Sequence, residues 1–425
     1  MSFAQGVSGL SSSAANLDVI GNNIANSGTI GFKSGSAQFA DVYAGSQAGL
    51  GTKVSGVVQN FTQGAVQSST RPLDVAITNG DGFFRLASPG GQFAYSRNGQ
   101  FNVDKDGFLV NAAGLQLTGF PVGANGVIAG GSPTALQFPT AAMAPKPTDA
   151  ITAQFNLDSR SVVPTKTPFD AKNPATYNYS NAVNIYDSQG NSHELATFFA
   201  KDPAPATNSW SVYATADGQA LTSAGGGTLT NPPPATPVAA GKISSITFDP
   251  NGVMTVPAVP ANGIMSFAGL QFPNGSAPMA FNMNITGTTQ FGNDNAVNKL
   301  TQDGYASGVL TSYAVGQDGI VTGKYSNEQT KTLGQIVLSS FVNPNGLQSK
   351  GDNVWAETSA SGKPLTGKPG SGTKLGALTA GALEGSNVDL TSELVNLIIA
   401  QRTYQANSQT VKTQDQIMQT LINMR

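Results

Sequence analysis

Two stretches decide the fold: FAQGVSGLSSSAANLDVIGNNI at residues 3–24 and LTSELVNLIIAQRTYQANSQTVKTQDQIMQTLI at residues 390–422. In the first, Phe3, Val7, Leu10, Ala14, Leu17, Gly21 and Ile24 stand at spacings of 4, 3, 4, 3, 4 and 3. That is the a/d pattern of a coiled-coil seam. In the second, Leu390, Leu394, Leu397, Tyr404, Val411, Met418 and Ile422 fit one heptad register, interrupted by Gln401, Ser408 and Asp415. Amphipathic helices of this kind are seldom stable alone. They either dock on their own domain or pack with each other and with copies of themselves.

Between the helices the sequence turns glycine-rich and strand-like. Residues 28–72 hold many Gly, Ser and Gln with scattered apolar positions, and read as an extended or irregular connector. From 73 onward, LDVAITNGDGFFRL and FAYSRNGQFNVDKDGFLVNAAGLQLTGF give short apolar runs separated by Asn-Gly, Asp-Gly and Ala-Gly, the signature of hairpins. A Pro-rich stretch at 140–150 marks a boundary. Beyond it, NAVNIYDSQGNSHELATFFAKD and NSWSVYATADG read as strands, followed by a low-complexity run at 223–241. Hairpin character resumes at 297, and a Gly/Pro/Lys stretch at 362–376 leads to the last helix.

The expected fold class is therefore α+β, mainly β, with coiled-coil-like terminal α-helices and two nested β-domains. The expected boundaries are 1–27 and 390–425 for a terminal helical domain, and 28–72 and 372–389 for connectors. A β-domain takes 73–147 and 297–371, and an inserted β-domain takes 148–296.

Composition narrows the function. Charged residues are 11% of the 425, against roughly 25% in an average soluble protein, and the formal net charge is -2. Nucleic acid and anionic membrane surfaces favour basic patches, so neither is expected as a partner. Cysteine is absent, which removes disulfides, thiolate metal sites and a cysteine nucleophile. The opening MSFAQGVSGL has no Lys, Arg or apolar h-region, so a cleaved signal peptide is not expected. The strongest apolar run, LVNLIIA at 394–400, is too short to span a bilayer and holds Asn396, so no membrane insertion is expected.

Catalytic patterns fare poorly. Asp104, Asp106 and Gly107 resemble the start of a calcium loop but lack the later ligands. Similar Asp-Gly pairs at 81, 217 and 318, and Asp249 to Gly252, supply the positive φ that hairpins need. His193 is the only histidine and has no G-x-S-x-G elbow beside it, which favours a plain strand residue. The Gly-Lys pairs at 241, 323, 362 and 367 are never followed by Ser or Thr, so no phosphate loop exists. No catalytic residue, metal ligand or cofactor is expected.

NLDVIGNNIANSGTIGFK at 16–33 and EGSNVDLTSELVNLIIAQRTYQANSQTVKTQDQIMQTLINMR at 384–425 resemble the terminal motifs of the bacterial flagellar rod and hook axial protein family. DVAITNGDGFFRL, YSRNGQFNVDKDGFLVNAAGLQLTGF and LSSFVNPNGLQSKGDNVWAETSASG look like that family's middle blocks, so the resemblance covers about two thirds of the chain. The inserted FDAKNPATYNYSNAVNIYDSQGNSHELATFFAKD is similar to the outer domain of hook members, which the shorter distal rod members lack.

The resemblance implies an extracellular axial protein, exported through the flagellar type III apparatus, that assembles into a flexible tube transmitting torque from rod to filament, with the terminal α-helices as a coiled-coil-like inner layer and 148–296 as an inserted outer β-domain. It implies as partners further copies of the chain, a distal rod protein, a hook cap, hook–filament junction proteins and the export apparatus. On that reading the polymer interface holds Phe3, Val7, Leu10, Ala14, Leu17, Ile24, Leu394, Leu397, Tyr404, Val411, Met418 and Ile422. A second stripe, Arg402, Gln405, Gln409, Lys412, Gln416, Gln419 and Asn423, is all polar and lies one residue on from the apolar seam, about 100° around the helix. It suits either a solvated face or the lining of a channel. Rival classes are a distal rod protein of the same family, a secreted adhesin and a polysaccharide-acting enzyme.

Overall fold

The computed structural model describes residues 3–42, 51–123, 125–203, 208–223, 225–230, 240–255, 263–370 and 374–423. Parts of the expected low-complexity run at 223–241, of the connectors and of the last helical segment lie outside these residues. Helix α1 spans Phe3–Ala25 and helix α2 spans Leu390–Asn423. Asp389 starts α2: its Oδ1 accepts from the backbone N–H of Thr391 at 2.9 Å and of Ser392 at 3.3 Å. The Ser392 hydroxyl donates to its other oxygen at 2.8 Å. These hydrogen bonds, the Ser392 hydroxyl foremost, hold the Asp389 carboxyl below the usual range. No described helix is long and apolar enough to cross a membrane.

The chain divides into two compact units, one made of Met1–Thr140, Leu310–Lys324 and Thr330–Arg425, the other of Ala141–Val309 and Tyr325–Gln329. In the first unit, strands β1 (Gly35–Asp41) and β2 (Thr52–Gln59) form an antiparallel hairpin beside the helices. β3 (Val66–Ser68) pairs with Ala382–Glu384, and β4 (Val75–Thr78) with Ala377–Ala380. β5 (Phe83–Ala87) and β6 (Phe93–Ser96) lie inside a large antiparallel sheet that also takes in Gln116–Pro121, Thr330–Ile336 and Val354–Ala356. Its core gathers Val75, Ile77, Phe84, Leu86, Phe101, Leu117 and Ile336. A satellite cluster of Phe83, Tyr95, Phe341 and Trp355 seats Phe61 in edge-to-face contact, 5.4 Å from Phe83 and 5.7 Å from Trp355.

The second unit is built from two sheets sharing one core. One sheet orders Gly227–Thr228, Ile264–Gln271, Met279–Asn284, Ala150–Asn156 and Ala296–Gln302; the other is built on Tyr179–Tyr186, Ser192–Lys201, Ser209–Ala216 and Ser244–Phe248. Met279–Asn284 alternates strictly between buried and exposed, as a half-buried strand must. Trp210, fully buried, donates its indole N–H to Gln290 at 3.0 Å.

Two expectations about organisation need correction. The segments 28–72 and 372–389 are not irregular connectors, because they contribute β1, β2, β3 and the partners of β3 and β4. Their Gly, Ser and Gln content hid weak strand patterns that only pairing makes visible. The boundaries expected at 147/148 and 296/297 also move outward, since Ala296–Gln302 pairs with Ala150–Asn156 and so belongs to the second unit.

Candidate functional site: the paired terminal helices

The two helices run antiparallel and pack along their length, with Gly6 opposite Val411, Gly9 opposite Asn407 and Asn23 opposite Glu393. The seam between them is not the apolar one. It is lined by Gly6, Gly9, Ser13, Ile20 and Asn23 of α1, and by Glu393, Ala400, Asn407 and Val411 of α2. A Cβ at Gly6 would stand 2.8 Å from Val411 Cγ2, and one at Gly9 would stand 2.9 Å from the Asn407 amide. Glycine there lets the helices approach closely. Asn407 donates to the Ser13 hydroxyl at 3.4 Å, and Asn23 donates both to Glu393 at 3.2 Å and to the Gly35 carbonyl at 2.8 Å.

On α1 this seam lies one residue, about 100°, from the heptad stripe read in the sequence. The stripe is therefore left only partly covered. Phe3, Val7, Leu394, Tyr404, Met418 and Ile422 are exposed, while Leu10, Ala14, Leu17, Ile24, Leu397 and Val411 are half-buried. Val411 is engaged inside the pair, against Gly6. Leu390, Val395, Ile398 and Ile399 widen the exposed apolar face of α2. The polar stripe of Arg402, Gln405, Gln409, Lys412, Gln416, Gln419 and Asn423 is exposed throughout. A groove of about 470 Å³ lies among α1, α2 and the β1–β2 hairpin, lined by Ser12, Asn16, Phe39, Asn396 and Thr403 among others.

Where the two chain ends leave the helices, a buried ionic node joins them. Lys33 Nζ donates to Glu384 Oε1 at 2.6 Å and to the Thr62 carbonyl at 2.7 Å, and Arg97 donates to Glu384 Oε2 at 3.2 Å. All three side chains are 0–3% exposed. Burial pulls the Lys33 ammonium below its usual pKa, and the charge and hydrogen bond of Glu384 oppose that pull. Sequence reading quoted Lys33 and Glu384 inside the two terminal motifs but missed their meeting. In a chain this poor in charge, an isolated Lys after Gly-Phe was the available signal.

The Asp-rich turns are structural. Asp104 Oδ1 accepts from the N–H of Asp106 at 2.9 Å and of Phe108 at 2.8 Å, and Gly107 has φ +87°. His193 lies in the strand Ser192–Lys201 of the second unit, stacked 3.4 Å from Phe272. Its Nδ1 is 2.7 Å from Asp217 and its Nε2 is 3.3 Å from Asp187. Both ring nitrogens are thus taken by carboxylates, and neither is left to activate a hydroxyl.

A β-rich body bearing two helices from opposite ends of the chain, with their apolar faces uncovered, is the build of a structural protein that assembles. Comparison with known proteins says which. The flagella basal body rod protein family matches residues 4–33, the flagellar hook protein FlgE/F/G D1 domain 76–160, the flagellar basal body protein FlaE D2 domain 156–305, and the flagellar basal body rod FlgEFG C-terminal family 379–424. The flagellar hook protein FlgE of Escherichia coli (strain K12) is 47% identical over 429 residues, covering 100% of both chains. That of Salmonella typhimurium is 46% identical over the same span, and that of Borreliella burgdorferi 31% over 455 residues, covering 100% of this chain and 99% of its own. The crystal structure of Helicobacter pylori flagellar hook protein FlgE2 shares the fold, with TM-score 0.50 at 14% identity, covering 75% of this chain and 100% of that one. The chain belongs to the bacterial flagellar hook protein family, and its role is structural, in the flagellar hook.

Proposed function

We propose that the uncovered apolar stripes of α1 and α2 are the faces by which copies of the chain join into the hook, a tube that transmits torque and bends as a universal joint. The observation that carries this is the one-residue offset. Mostly small and polar residues, with Ile20 and Val411, hold α1 and α2 together, so much of the apolar surface of both helices remains for other copies. A contact between unlike patches of successive copies does not close on itself and generates a helical filament. The polar stripe of α2 faces a water-filled channel. The chain has no catalytic role. It passes through the flagellar export apparatus and meets the distal rod protein, the hook cap and the hook–filament junction proteins at the ends of the tube.

Val7→Asp and Leu394→Asp test the reading, because both side chains are exposed in the single chain. An aspartate at either position costs little before assembly, yet in a helix contact it buries an unpaired charge at several kcal/mol per copy. Each variant should keep the circular dichroism of the parent and fail to form hooks in electron micrographs. Normal hooks from either variant would refute the assignment.

A further inference from the structure

Residues 382–387 do more than lead into the last helix. Ala382–Glu384 pairs with β3, and the Gly385 N–H donates to the Ala65 carbonyl at 2.8 Å. The Glu384 carbonyl accepts from the Gly31 N–H at 2.8 Å, and its carboxylate takes Lys33, Arg97 and the Gly64 N–H, the last at 2.9 Å. Asn387 accepts from the Ser34 N–H at 2.8 Å and donates to the Asn60 carbonyl at 2.7 Å. Six consecutive residues from the far end of the chain therefore hold both arms of the N-terminal stalk, the segments 31–34 and 60–66 that flank the β1–β2 hairpin.

The charges make this contact conditional. Lys33 and Arg97 are two buried cations, and among the described residues Glu384 is the one carboxylate paired with either. Arg97 also keeps a buried Nε with no partner among the described residues. Without Glu384, docking the stalk on the body would bury two like charges with no counter-ion, which is strongly unfavourable. The stalk in turn carries α1, whose Asn23 exchanges hydrogen bonds with Gly35 at its root.

We propose that residues 382–387 form a clasp on which docking of the N-terminal stalk depends. The chain then presents its first helix for assembly only once its last segment is in place. The clasp makes α1's placement a property of the complete chain, so incomplete or partly folded chains do not offer a fixed polymer face. This rests on the reading that α1 carries part of that face.

Glu384→Gln in the full-length chain, followed by hydrogen exchange of the monomer, tests the clasp. The amides of Gly31, Ser34 and Gly64 should exchange at least tenfold faster, β5, β6 and the second unit should keep parental protection, and assembly should fail. The triple variant Lys33→Met, Arg97→Met, Glu384→Leu removes the charge requirement and should regain hooks and the protection of Gly31 and Ser34, whose acceptors are the residue 384 carbonyl and Asn387, though not that of Gly64, whose acceptor is the lost carboxylate. Parental exchange in Glu384→Gln would overturn the proposal, and so would loss of protection throughout the chain, which would make the node part of the body's core. Failure of the triple variant to regain protection would overturn the role given to charge. The helix-face reading is judged separately, because Val7→Asp should lose assembly with exchange at Gly31, Ser34 and Gly64 unchanged.

Discussion

Asp187 shows how a single side chain can organise a turn and a sheet at once. Its Oδ1 accepts from the N–H of Gln189 and of Asn191, each at 2.9 Å, and Oδ2 accepts from Asn191 at 3.0 Å and from the amide of Asn274. Burial would push its pKa up, but the bonds from Asn191, Asn274 and His193 outweigh burial and hold the carboxyl well below the usual range. A carboxyl depressed in the folded state contributes stability that is complete above its unfolded pKa, about 3.9, and is lost as pH falls through the folded value. The second unit should therefore weaken progressively below about pH 4. Asp187→Asn should flatten that acid limb and lower stability at neutral pH, as read by hydrogen exchange of Leu195 and Phe199 between pH 2 and 7. An unchanged acid limb would mean that other carboxylates dominate it.

At the scale of elements, the heptads in α1 and α2 were legible because periodicity reports which stripe is apolar. Periodicity does not say which stripe meets the other helix of the same chain. Gly6, Gly9, Ser13, Ile20 and Asn23 lie on one heptad register at spacings of 3, 4, 7 and 3, yet they score poorly as a seam because, Ile20 apart, their merit is smallness and hydrogen bonding. The β1–β2 hairpin was invisible for a related reason. Both strands are only partly buried, the alternation of β1 is broken by a bulge at Gln38–Phe39 and that of β2 is irregular, and a two-stranded ribbon gains its order from docking. The pairing of Ala296–Gln302 with Ala150–Asn156 is a contact over some 140 residues, beyond the reach of any local pattern. The Lys33–Glu384–Arg97 node is equally non-local.

The polar stripe of α2 leads to a second expectation. Replacing Gln409 and Gln416 together with leucine adds apolar surface to a face that is exposed in the single chain. If that face lines the channel, hooks should still assemble while filament subunits are delivered beyond them more slowly, because passing unfolded chains would stick to the new surface. Delivery at the parental rate, or loss of the hooks themselves, would place the stripe elsewhere.

For the whole molecule, the second unit holds its own core of Trp210, Phe155, Phe199, Phe267 and Phe281, which shares no member with that of the first unit. Joining Thr140 to Leu310 through a short Gly/Ser linker should leave the first unit folded and able to build tubes, with bending or supercoiling altered in electron micrographs. Complete loss of polymer would show that the second unit takes part in building the tube wall.

The ladder of contacts that joins the two ends of the chain also sets an order in time. Lys33 and Glu384 are 351 residues apart, and closing a bare loop of that length would cost roughly 5 kcal/mol from the logarithmic entropy term alone. Once Val75–Thr78 has paired with Ala377–Ala380, only the links from 33 to 75 and from 380 to 384 remain open, and the same term falls to roughly 3.4 kcal/mol. Pairing of Val66–Ser68 with Ala382–Glu384 shortens the loop again. Folding of the first unit thus resembles a zip drawn from the sheet outward, each rung lowering the entropy of the next, with the helices as its final teeth.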